Sequence, residues 1–138
     1  MTEVSVELHG LVVLDPDGAR DREVPLDRNP IMMLATAVLA LPVTDSALPP
    51  RDCEQIARLL AGHARLVANE VSVLCSQLPD HSPQRPLTEI VLGESRRRLS
   101  VDPHATLASV HNHARLVRML YERLDRLQEA RQGRDASS

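Results

Sequence analysis

The pentapeptide HARLV occurs at residues 63–67 and again at residues 113–117. On a heptad grid drawn through the first copy, Leu60, Val67 and Leu74 share one core position, and Ile56, His63 and Glu70 share the other. The same grid through the second copy groups Val110, Val117 and Leu124, with His113, Leu120 and Leu127 at the second position. Both copies therefore read as amphipathic helix. Ala and Val turn to the core, Arg turns to solvent, Leu edges the seam, and both histidines face the apolar stripe. Flanking residues match poorly at this offset, Leu74 and Leu124 being nearly the only further identity. The recurrence thus reflects one packing demand met twice and not a duplicated unit.

Outward from these two helices, proline sets the boundaries. Pro49 and Pro50 open a long helix over about residues 50–78. Asp102 is the expected cap of the last helix, about 103–132, which carries Glu122 and Arg126 at a favourable spacing and is expected to stop at Gly133. Between them, Pro83 and Pro86 introduce a third helix over about 86–100. Ahead of all three, Asn29 caps a helix that Pro30 opens and Pro42 ends. The expected fold is mainly α: a four-helix antiparallel bundle over 29–132, preceded by an extended arm or β-hairpin over 1–28 and followed by a disordered tail over 133–138. The arm is read from the alternation of Val4, Val6 and Leu8, the apolar run 11–14 and the turn signal Pro16-Asp17-Gly18.

The chain has 138 residues, with one Tyr and no Phe or Trp. Its core must come from Leu, Val, Ile, Ala and Met, which suits helix-on-helix packing. A net charge of −3 gives no general attraction to nucleic acid or to an anionic membrane. The run Arg96-Arg97-Arg98 fans around a helix without aromatic partners and reads as a solvated face, so nucleic-acid binding is a subordinate alternative. Residues 31–41 are apolar nearly all round but too short to span a bilayer, for which about 20 residues are needed. Cys53 and Cys75 fall on one helix roughly 33 Å apart and cannot pair within the chain. Two such thiols, with no apolar leader at the N-terminus, lead us to expect a cytoplasmic protein.

Chemistry is sparse. There is no Gly-x-Ser-x-Gly, no phosphate-binding loop, no Glu-x-x-His and no zinc spacing, so neither catalytic residues, a metal nor a cofactor is assigned. Steps of about 100° place Leu87, Ile90, Val91, Glu94 and Arg98 on one face of the third helix, read as its core face. Glu94 at its centre would need a partner, with Arg98 one turn on and His63, His113 or Glu70 on facing helices. That cluster reads as a buried ion pair fixing register or, as the alternative, as the polar site of a small-molecule-binding bundle or simple enzyme using Glu94 and His63. The leading reading is a non-enzymatic interaction module with an accessory or regulatory role, a homodimer or a binder of another protein. Its contact surface is expected on the first helix, at Ile31, Met32, Met33, Leu34, Val38 and Leu39.

The stretch Leu92-Gly-Glu-Ser-Arg-Arg-Arg-Leu99 resembles the Gly-Glu-Ala-Arg core of a family of small actinobacterial helical proteins of unknown function, termed natural product biosynthesis proteins. LLAGHARLVANEV at 59–71, ARLVRMLYERLDRL at 114–127 and, more loosely, VPLD at 24–27 extend the resemblance. Ser95 stands where the family pattern has Ala. The resemblance implies a helical domain tied to secondary metabolism or its regulation, with no catalytic residue to carry over.

Overall fold

A computed structural model describes residues 28–42 and 48–137, with side chains up to residue 134. They form four helices and no strand: α1 (Arg28–Leu39), α2 (Pro50–Ser76), α3 (Gln84–Leu99) and α4 (Leu107–Ser137). The arm expected over 1–28 lies, Arg28 apart, outside the described residues. Helices α2 and α4 form the central pair. Helix α1 lies mainly on α4 and touches α2, α3 lies on α2 and α4, and α1 and α3 do not touch. No described helix is long and apolar enough to cross a membrane.

Both copies of HARLV sit in this central pair as their periodicity requires. Ala64, Val67, Ala114 and Val117 are fully buried, Arg65 and Arg115 are exposed, and His63 and His113 are buried. Leu60, Ile56, Leu116, Leu120, Leu127 and the ring of Tyr121 complete the core. Burying one such aliphatic side chain contributes about 1.5–3 kcal/mol, so a core without Phe or Trp is adequate at this size.

The helix ends show how local chemistry sets boundaries, and three differ from expectation. Helix α2 begins as read, with extended Pro49 as cap, Pro50 in the first turn, and the Cys53 N–H donating to the Pro49 carbonyl at 3.0 Å. In α1, Asn29, expected as the cap, lies inside the described helix. Helix α4 starts at Leu107, where Thr106 and not Asp102 supplies the cap: the Ser109 N–H donates to Thr106 Oγ1 at 3.1 Å. Gly133 does not end α4, which runs on to Ser137. One helical glycine costs only about 1 kcal/mol, which neighbouring turns offset. At the other ends, arginines from adjacent helices reach the open carbonyls. Arg85 donates to Leu78 O at 2.6 Å beyond α2, and Arg65 donates to Leu99 O at 3.2 Å at the end of α3.

The six α1 residues expected at an interface are mostly used within the chain. Ile31 and Val38 are buried, and Met32, Leu34 and Leu39 pack against the core. Met33 alone of the six stands out, 72% exposed. The apolar excess of this helix is taken up by α4 and α2.

Candidate functional site

The orientation of α3 departs most from the sequence reading. The helix buries Thr88, Leu92 and Ser95, whereas Leu87 and Ile90, placed on its core face by periodicity, are 51% and 69% exposed. The helix is turned by about one residue step, Val91 of the expected face still packing against the core, and small size and internal hydrogen bonding explain the turn. Thr88 Oγ1 donates to Gln84 O at 2.7 Å and Ser95 Oγ donates to Val91 O at 2.8 Å. Both hydroxyls are thus satisfied by their own helix and enter the core without an unmet polar group, while their small volume lets α3 lie close to its neighbours.

Glu94 accordingly sits at the edge of the outer face, its side chain 31% exposed. Its carboxylate accepts from Arg98 Nε at 2.8 Å and from Arg97 Nη2. Hydrogen bonding by Arg98, reinforced by the positive charge of Arg97, holds the Glu94 carboxyl below the usual carboxylate range. The expected cluster is not brought together. His63 is buried against Tyr121, His113 bonds its own helix, and Glu70 is exposed on α2. Glu94 is paired with Arg98, but on the surface and not in a core.

Two polar arrangements escaped the sequence reading. In the first, His63 Nε2 and the Tyr121 hydroxyl share a buried hydrogen bond of 2.6 Å. The Arg28 guanidinium lies 4.7 Å from the centre of the Tyr121 ring and forks onto Asp125 at 2.6 and 2.8 Å. This chain of groups ties α1, α2 and α4 together. Asp125 is held below its ordinary range by the hydrogen bond from Arg28, which in turn holds its own proton more firmly. The signal available in the sequence was the solitary aromatic residue.

The second is an open cleft of about 500 Å³ where the end of α3 meets the start of α4, lined in part by Arg98, Asp102, His104, Asn112 and His113. His113 Nδ1 donates to Ser109 O at 2.7 Å, fixing the ring so that Nε2 is left for another partner. Asp102, expected as a helix cap, lines this cleft instead. Among the described residues no three His, Cys, Asp or Glu side chains are placed to hold a metal ion. Cys53 and Cys75 are free and buried, and burial pushes the Cys53 thiol up.

The sequence profile of a family of unknown function, DUF6415, matches residues 31–133. The chain belongs to this family. The match begins within α1, takes in α2 and α3, and ends within α4, so the DUF6415 unit is this four-helix body. Neither the curated proteins nor the solved structures contain a match to it.

Proposed function

We propose that this DUF6415 protein is a non-enzymatic helical interaction module, working in the cytoplasm as an accessory or regulatory component of natural-product biosynthesis. The outer face of α3 carries the reading: Leu87 and Ile90 are turned to solvent while the same helix buries a threonine and a serine. A helix that buries two hydroxyl residues beside Leu92 and leaves two large aliphatic side chains on its exposed side has a surface suited to a partner. The likeness of residues 92–99 to proteins of secondary metabolism supports the biological setting, and the two free thiols support a reducing compartment. A photo-crosslinking residue at position 90, compared in host cells with one at exposed Glu129 of α4, tests the reading. A discrete protein adduct from position 90, lost in Leu87→Glu and not formed from position 129, is expected. Equal labelling from both positions, or none, overturns it.

The cleft beside His113 favours a second reading, a site for a small carboxylate. Arg98, whose Nε is held by Glu94, has its terminal nitrogens left for an anion there, and His113, its tautomer set by Ser109, supplies a directional partner. Isothermal titration with small mono- and dicarboxylates tests it. Binding abolished by His113→Ala supports the site, and the absence of any heat change removes it.

A further inference from the structure

The interaction-module reading leaves the partner open, and the outer face of α3 carries an argument for one. Three features lie on it in order. Ile90 projects from the helix. Gly93, three residues on and therefore on the same side, is exposed, and a side chain added there would meet nothing within 4 Å. On one flank of this line, Glu89 and Arg96 are both exposed, and neither forms an ion pair within the described residues. Glycine in the interior of a helix weakens it, and no contact among the described residues calls for glycine at position 93.

We propose that the outer face of α3 binds a second copy of this chain, the two α3 helices packing antiparallel about a two-fold axis; the proposal rests on the interaction-module reading above. The self-complementarity is what selects a second copy. A two-fold axis perpendicular to the helix, passing between positions 91 and 92, sets Ile90 of each copy over Gly93 of the other. Each protruding side chain thereby enters the notch of its partner, and both contacts form together, as an isologous interface requires. The same operation keeps like flanks together and reverses chain direction. Glu89 of one copy comes beside Arg96 of the other, and the reciprocal pair forms at the opposite end. A parallel two-fold arrangement would instead place this flank of each copy beside the opposite flank of its partner, so that neither pair could form. The antiparallel sense also keeps the two Arg96-Arg97-Arg98 ends apart, each lying near the start of the other copy's helix, and Arg97 and Arg98 are already engaged by Glu94.

A single pair of 16-residue helices, each about 24 Å long, belongs to the low end of interface sizes, so the dimer is a micromolar, concentration-dependent one. Sedimentation equilibrium on the full chain over a wide concentration range is the test. The wild-type chain is expected to move from monomer to dimer, and Ile90→Glu to remain monomeric with unchanged helical circular dichroism. Glu89→Arg alone and Arg96→Glu alone are expected to self-associate about tenfold more weakly, because each sets like charges opposite one another. Mixed in equal amounts, these two variants are expected to form a heterodimer, since both flanking pairs are then of opposite sign. A wild-type chain that stays monomeric throughout, or a mixture that associates no better than its components, overturns the proposal. If the chain is monomeric but position 90 crosslinks to a different protein, the interaction-module reading stands and the second-copy inference fails.

Discussion

Replacing two glycines by alanine should stabilise this protein, and the size of the effect follows from where they lie. Gly62 is inside the 27-residue α2 and Gly93 inside the 16-residue α3, both exposed and both well away from the helix ends. In a helix interior alanine is more favourable than glycine by about 0.8–1.0 kcal/mol, largely because the unfolded chain has less freedom to lose. Steric conflict would reduce this gain, but a Cβ at either position meets no atom within 4 Å among the described residues. The full increment should therefore appear, raising the midpoint of thermal unfolding by about 4 °C for each variant in a chain of this size. The positions are on different helices, so the double variant should gain about 2 kcal/mol. Thermal melts followed by circular dichroism, in solutions dilute enough to hold the chain monomeric, measure this directly. Gly133→Ala, within the last turns of α4, should gain less, since the last turns of a helix contribute less than its middle. A lowered midpoint for Gly62→Ala or Gly93→Ala would refute the reasoning, because it would require neighbours that an open helical surface does not have.

Three further outcomes follow from the same contacts. Tyr121→Phe removes the hydroxyl shared with His63 in a buried setting and should cost about 1–3 kcal/mol in urea unfolding; a loss of a few tenths would contradict a structural role for that bond. Asp125 has its folded pKa depressed by Arg28, so its stabilisation is present above the unfolded Asp value of about 3.9 and is lost as pH falls through the lower folded value. Both side chains are about 40% exposed, which limits the pair to under about 1 kcal/mol, and the stability gap between wild type and Asp125→Asn should close on acidification; a gap independent of pH would count against the pairing. Ser95→Leu should cost about 1–3 kcal/mol or more by overpacking the close approach of α3, while Ser95→Ala should be near neutral, both read from chemical unfolding; a tolerated leucine would mean that α3 does not lie close to its neighbours.

The central helices were legible in the sequence because their burial follows the period of their apolar residues. His63 and His113 fall on that period and are buried with it. Helix α1 was legible as a helix but not in its surroundings. An apolar circumference does not say whether the neighbour belongs to the same chain, and here α4 and α2 cover it. Helix α3 was misread in orientation, for a physical reason. Thr88 and Ser95 count as polar by composition, yet a hydroxyl bonded to the preceding turn enters a core freely. Periodicity therefore selected Leu87 and Ile90 as the inner face and carried Glu94 inward with them. The pairs His63 with Tyr121 and Arg28 with Asp125 join residues far apart in the chain, and no local pattern announces such contacts.

The junction at Tyr121 also makes the molecule its own reporter. With a single tyrosine and neither tryptophan nor phenylalanine, every ultraviolet emission or near-ultraviolet dichroic signal from this chain originates at one ring, wedged where three helices converge. An experimenter who heats, acidifies or titrates it watches the contacts of α1 and α2 with that ring come apart, with no second chromophore to blur the trace.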